Sequence, residues 1–231
     1  MSSTTPMILA FDVDGTLYDG IGVDPTAVDA INAAVSGGHV VVIVSGRPWV
    51  DLQRIIPDVL QATSLAVCEH GALLVDVAGG DVHHLAQPVD PSLPAILAAT
   101  DGQDMVVYEA TIGLPASARD AADAACAQVG GCYVVGNKNS IAIVPNGCDK
   151  GTGLRHALEH LEASYPGISD WPIFAIGDAT NDLPMFALAD VAVAVANAEP
   201  ALVESGIQVT RAAFGAGVAE ALARHVLVSV D

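Results

Sequence analysis

The run Asp12-Val13-Asp14-Gly15-Thr16 comes directly after an apolar stretch, residues 7–12, that reads as a buried strand. In an extended chain, residues two apart share a face, so Asp12 and Asp14 can project together from the strand's carboxyl end. That edge is where open α/β sheets bind ligands. Two carboxylates there can hold a hard cation, or divide nucleophilic and acid/base work between them. Gly15 lets the chain turn away from the site. A calcium loop with the same D-x-D start would need Gly at 17 and Glu at 23, where the chain has Leu17 and Val23. A plain surface turn would leave the preceding strand unexplained.

Ser45-Gly46-Arg47 closes the next apolar stretch, residues 39–44, and so falls on the same sheet edge. A hydroxyl and the free N–H groups of a glycine-containing turn can hold a phosphate, although Ser-Gly alone is an ordinary loop dipeptide. Lys150, in Cys148-Asp149-Lys150-Gly151, opens a helical segment. A cation at a helix N-terminus opposes the macrodipole, and an anion beside it would explain the placement. The chain has only two lysines, Lys138 and Lys150, which weakens the reading of Lys150 as a solvated side chain. Its loss is expected to cost anion binding and little stability. Gly177-Asp178-Ala179-Thr180-Asn181-Asp182 follows another apolar stretch and brings Asp178 and Asp182 to the edge. Either acid could simply cap the next helix, a reading that weighs more on Asp182 than on Asp178. Converging acids without a cysteine or histidine ligand set suit a hard, oxygen-ligated ion.

The elements that must position these residues alternate. Short apolar runs at 7–12, 39–44, 65–68, 173–177, 191–195 and 207–210 are separated by segments with helical spacing. The first such segment, with Val28, Ile31 and Val35 on one stripe, is opened by Asp24-Pro25 and stopped by Gly37-Gly38. Others follow Pro48, start at Lys150, and cover 182–189 and 217–225. This rhythm predicts a parallel α/β sheet. A hairpin is expected at 72–82. The pattern then changes: a proline-rich stretch at 87–94, helix at 96–99, extended chain at 105–108, helix at 116–129, and strands at 133–136 and 140–144 around Asn137-Lys138-Asn139. The expected organisation is a core of residues 1–81 and 148–231 interrupted by a small α+β insert, residues 82–147.

Of 231 residues, 52% are apolar, ample for a buried core. No run approaches the ~20 residues of a membrane span, and MSSTTP lacks the basic and apolar regions of a signal peptide. Cys68, Cys126, Cys132 and Cys148 form no CxxC pair, so reduced thiols in a cytoplasmic protein, monomer or homodimer, are expected. The formal charge of −19, from 27 acidic and 8 basic residues, disfavours nucleic acid and anionic membranes as partners. An anionic substrate would need positive charge supplied at the site itself. His156-Ala157-Leu158-Glu159-His160 matches an inverted zinc-protease motif, but Leu154, Leu158 and Leu161 form the apolar stripe and leave the motif on the wet face. His83-His84 reads as a polar pair. G-x-G-x-x-G and G-x-S-x-G are both absent.

Taken together, DVDGT at 12–16, SGR at 45–47, DKG at 149–151 and GDATND at 177–182 resemble, in kind and order, the haloacid dehalogenase superfamily of phosphohydrolases. Glu69-His70-Gly71-Ala72 is similar to the same group, which more often has Asn where His70 stands and often Gly or Ser where Ala179 stands. The long insert between the second and third motifs resembles subclass IIB, the Cof-type branch. The resemblance implies a Rossmann-like parallel core with an α/β cap over the site. It also implies a Mg²⁺-dependent phosphatase acting on a small soluble phosphomonoester, phosphoglycolate or a sugar phosphate, through an aspartyl-phosphate. In that scheme Asp12 is the nucleophile and Asp14 the general acid, then base. Mg²⁺ is held by Asp12, the Asp14 backbone carbonyl and Asp178, while Asp182 supports the metal's water shell or orients Lys150. Ser45, Gly46, Lys150 and Asn181 hold phosphate oxygens, and Arg47 reaches the substrate or cap. The cap selects the substrate, with Lys138, Tyr108 and Glu109 as candidates. The alternatives are a phosphomutase of the same superfamily and a phosphoacceptor signalling module, the latter disfavoured by the insert and by Asp14.

Overall fold

The computed structural model describes residues 5–100, 104–137 and 140–227. At its centre is β1 (Ile8–Phe11), buried along its whole length. Leu9 and Phe11 enter one apolar layer with Val41 and Ile43, whereas Ile8 and Ala10 enter the other with Val40, Val42 and Val44. A strand covered on both faces needs apolar residues at every position, which is why these runs are continuous rather than alternating. The other core strands are β2 (Val40–Val44), β3 (Leu65–Cys68), β4 (Leu73–Asp76) and β5 (Val82–His84). Four more, β6 (Val106–Val107), β7 (Ile112–Pro115), β8 (Cys132–Asn137) and β9 (Ser140–Pro145), make a second sheet, before β10 (Ile173–Gly177), β11 (Val191–Ala194) and β12 (Gln208–Val209) return to the first.

The large sheet has the order β12-β11-β10-β1-β2-β3-β4-β5. From β12 to β3 neighbouring strands are parallel, and β4 and β5 turn back antiparallel as the expected hairpin. The chain therefore winds outward from β1 on one side and from β10 on the other. The loops after these two strands meet at the switch point where such sheets bind ligands. This is the Rossmann-like α/β class expected from the sequence. The helix Pro25–Ser36 packs on Phe214–His225 on one face, and Lys150–Leu161 covers the other against β2 and β3. Asp24 caps the first of these helices by accepting the Thr26 N–H at 2.9 Å, with proline at the first turn. No helix among the described residues is long and apolar enough to cross a membrane.

The second sheet is antiparallel, in the order β6-β7-β9-β8. It has its own apolar core, in which Leu93, Leu97, Ile112, Leu114, Ile141 and Ile143 are buried together. The sequence reading contained no strand at β7, whose Gly113 and Pro115 are poor strand formers. The expected start of the insert, residue 82, falls in β5, which is hydrogen-bonded to β4 at the edge of the large sheet. Lys138 and Asn139 lie outside the described residues.

The two sheets are tied by one buried acid. Glu69 follows β3 and is 1% exposed. Its carboxylate accepts the Glu109 N–H at 3.2 Å, the Ala110 and Thr111 N–H groups at 2.8 and 3.0 Å, and the Thr111 hydroxyl at 3.0 Å. Glu69 and His70 both have left-handed backbones, with φ of 50° and 58°, an uncommon conformation for residues with a Cβ. Truncation at Glu69 would leave buried N–H groups unpaired, at about 1–3 kcal/mol each. Glu69→Ala is therefore expected to lower the unfolding free energy in urea by about 2–4 kcal/mol. Glu69→Gln, which keeps one acceptor oxygen, should lose less, and equal stability of all three proteins would remove this role.

Candidate active site

The loop after β1 is held from two directions. The Asp12 N–H donates to the Ile176 carbonyl of β10 at 3.0 Å, and Asn197 Nδ2 donates to the Gly15 carbonyl at 2.7 Å while its Oδ1 accepts the Phe214 N–H. Gly15 has φ of +84°, the left-handed turn that glycine permits. The result presents Asp12 into the switch point, 4% exposed. One of its oxygens accepts from Lys150 Nζ at 2.6 Å and the other from the Thr16 hydroxyl at 2.8 Å.

Lys150 is 3% exposed. Its helix is started by a reciprocal cap: Asp149 Oδ1 accepts the Thr152 N–H at 2.7 Å, and Thr152 Oγ1 accepts the Asp149 N–H at 2.8 Å. Close packing fixes the position of that helix. A Cβ on Gly71 would collide with the Asp149 carbonyl, and one on Gly153 with Val67 and Gly71. The ammonium bridges Asp12 and Asp182, the latter at 2.5 Å. The other Asp182 oxygen accepts the N–H groups of Asp178 and Ala179 at 2.9 and 3.0 Å. Asp182 thus folds back to brace its own loop and aim Lys150, with both oxygens engaged.

Asp12, Asp178 and Asp182 are buried, and each offers an oxygen within 4.8 Å of the others'. Among the described residues this is the only group of three or more potential ligands. Burial pushes the Asp12 carboxyl up to about 8 against the pull of Lys150, with Asp182 and Asp178 adding to the rise. Burial pulls the Lys150 ammonium the other way, but Asp12 and Asp182 more than offset it and hold the pKa above its usual value. An all-oxygen donor set of this kind fits a hard divalent cation, with Asp12 and Asp178 as the carboxylates to hold it. The Asp14 carboxylate stands outside the cluster. Arg47 grips it with two bonds of 2.6 Å, from Nε and Nη2, and lies over the Tyr18 ring with Asp51 nearby. Arg47 lines a space of about 770 Å³ that also borders Tyr108 and Gly113 of the second sheet, but its guanidinium is spent on Asp14.

Ser45 is buried, and its Oγ accepts the Arg47 N–H at 3.1 Å. A Cβ on Gly46 would strike the His70 ring at 2.5 Å, so the glycine admits that ring. Burial depresses the His70 pKa to about 3, with Lys150 acting in the same direction, and the imidazole stays neutral. Asn181 borders a second cavity of about 520 Å³ with Lys150 and His70, and its buried Oδ1 has no hydrogen-bond partner. The sequence reading passed over Asn197 and gave no task to Glu69. Asn197 follows β11 on the same sheet edge as the motifs, and that position was the available signal. His156, Glu159 and His160 are exposed as expected.

The model of the haloacid dehalogenase-like hydrolase family matches residues 9–94 and 115–222. A phosphoglycolate phosphatase of Methanothermobacter thermautotrophicus is 45% identical over 78 residues, 34% of this chain and 33% of that protein. The alignment thus spans about a third of the relative's length. A haloacid dehalogenase-like hydrolase from Bacteroides thetaiotaomicron superposes with a TM-score of 0.77 at 18% identity, covering 95% of this chain and 99% of that one. A subclass IIB sugar phosphatase gives 0.76 at 16% identity, covering 96% and 100%. At these identities the superpositions concern the fold.

The burial of Lys150 argues against the expectation that its loss costs little stability. Removing the cation strands buried carboxylates, and breaking such a pair costs about 3–5 kcal/mol. Urea unfolding of Lys150→Ala without divalent cations is expected to show a loss of that order. A midpoint equal to wild type would mean that the acids are neutral without it.

Proposed function

We propose, for a chain that belongs to the haloacid dehalogenase-like hydrolases, that it is a Mg²⁺-dependent phosphatase of small soluble phosphomonoesters. The observation that carries this reading is Asp12: a buried carboxylate at the switch point, held by Lys150 and Thr16. Asp12 attacks the phosphoryl group and the ester oxygen leaves, giving an aspartyl-phosphate that water then hydrolyses. Asp14 gives a proton to the departing oxygen and takes one from the attacking water, with Arg47 governing when its carboxylate is free. Lys150, the Ser45 hydroxyl, the Gly46 N–H and Asn181 hold phosphoryl oxygens. Mg²⁺, bound by Asp12, Asp178 and the Asp14 carbonyl, would supply charge stabilisation for the transferring phosphoryl group. Asp182 keeps Lys150 in place.

Phosphoglycolate and sugar phosphates are the substrate candidates, the first from the function of the aligned relatives and the second from that of a structural neighbour. The segment spanning the second sheet is proposed as the cap that selects between them. Four unpaired, buried thiols accord with a reducing cytoplasm.

Asp12→Asn is expected to abolish phosphate release while leaving the thermal midpoint at or above wild type, since it removes one of three crowded acids. Asp14→Asn should slow turnover about 10²–10⁴-fold. Colorimetric phosphate release across a panel of phosphomonoesters measures both. Wild-type rates in Asp12→Asn would exclude the covalent route, and transfer of phosphate within the substrate without release would indicate a mutase.

A further inference from the structure

Arg119 opens the helix Arg119–Val129 beside the second sheet and lines the 520 Å³ cavity that also contains Lys150, Asn181 and His70. Its placement has no local explanation. A cation in the first turn opposes the helix dipole. No carboxylate of the described residues lies within 4.0 Å of it, in a chain with 27 acids. Arg47, Arg54 and Arg224 are ion-paired, while Arg155 and Arg211 are exposed. Arg119 alone among the arginines is half-buried without an acid, and its one hydrogen bond, to the Val134 carbonyl, is long at 3.4 Å.

A second observation shows that the position is accommodated. Gly136 lies within β8, where glycine weakens a strand and often marks a close approach. A Cβ there would stand 2.9 Å from Arg119 Nη2. The strand therefore gives up a side chain where the guanidinium lies. The two acids on the cavity wall are already engaged with backbone: Asp149 accepts the Thr152 N–H and Glu199 the Thr180 N–H.

We propose that Arg119 is a specificity-determining residue that binds a carboxylate on the leaving-group side of the substrate. The substrates would then be short phosphorylated carboxylic acids rather than sugar phosphates without a carboxylate. This rests on the phosphomonoesterase reading above. A guanidinium fork matches a carboxylate with two parallel bonds. One guanidinium charge balances one carboxylate, whereas a second phosphate dianion would remain under-neutralised beside Asp149 and Glu199. Lys150 anchors the phosphoryl end, and Arg119 reads the other.

The test compares 2-phosphoglycolate with 2-hydroxyethyl phosphate, which has an alcohol in place of the carboxylate, and with a sugar bisphosphate. Steady-state kcat and KM are measured for wild type, Arg119→Ala, Arg119→Lys and Gly136→Ala. Arg119→Ala is expected to lower kcat/KM for phosphoglycolate about 10- to 100-fold, mainly through KM, and to leave 2-hydroxyethyl phosphate unchanged. Arg119→Lys should recover part of the loss, and Gly136→Ala should reproduce part of it by displacing the guanidinium. 2-Hydroxyethyl phosphate, which lacks the carboxylate, reports that each variant is folded. Equal losses on both monoesters, or none, would overturn the assignment, and a loss confined to the bisphosphate would overturn the carboxylate. Failure of wild type to hydrolyse any of the three would instead refute the phosphomonoesterase reading on which the inference rests.

Discussion

The rest of the site depends on one buried ammonium shared between two acids. Lys150 reaches Asp12 and Asp182 from the first turn of the helix that packs on β2 and β3. Ion pairs removed from water return their desolvation cost only when geometry is tight and the remaining polar groups are satisfied. Here that requirement explains much of the surrounding architecture. The reciprocal cap at Asp149 and Thr152 sets where the helix begins. Gly71 and Gly153 let it dock closely. Asp182 folds back onto the Asp178 and Ala179 N–H groups, and Thr16 satisfies the second oxygen of Asp12. These details hold Lys150 between Asp12 and Asp182, beside the third carboxylate of the cluster, Asp178.

The same arrangement reconciles an acidic chain with an anionic substrate. A net charge of −19 acts at the surface, where salt screens it over about 8 Å. In the proposed reading, the two groups that matter for a phosphate are inside: Lys150 and a cation held by the carboxylates. Access is bounded by residues of the second sheet, which contributes Ser140 and Ile141 to both cavities. Glu69 fixes where that sheet's chain leaves the core, with hydrogen bonds to three successive residues, Glu109, Ala110 and Thr111. The φ values at Glu69 and His70 are the strain accepted for turning that carboxylate outward while keeping the His70 ring against Gly46.

The core was legible because strands buried on both faces require uninterrupted apolar runs, and the acids stand directly at the ends of those runs. The run at 173–177, for example, is β10 to the residue. What escaped had no periodic signature. β7 reads Ile-Gly-Leu-Pro and is a strand only because β6 and β9 flank it. Glu69 bonds to groups some forty positions away, and the motif it stands in gives no sign of that role. Lys150 was legible as an anion-facing residue but not as a buried one, because burial depends on a helix docked by distant glycines. Arg47 shows the same limit: its motif predicts a ligand-facing group, and the fold gives its guanidinium to Asp14.

The central claim, that the Asp12–Asp178–Asp182 cluster is completed by a hard divalent cation, is tested most directly by calorimetric titration of Mg²⁺ into the substrate-free protein. The account predicts saturable binding of one ion per chain, abolished in Asp178→Asn and retained in Asp14→Asn, whose carboxylate stands outside the cluster. Absence of saturable binding, or binding indifferent to Asp178→Asn, would contradict it.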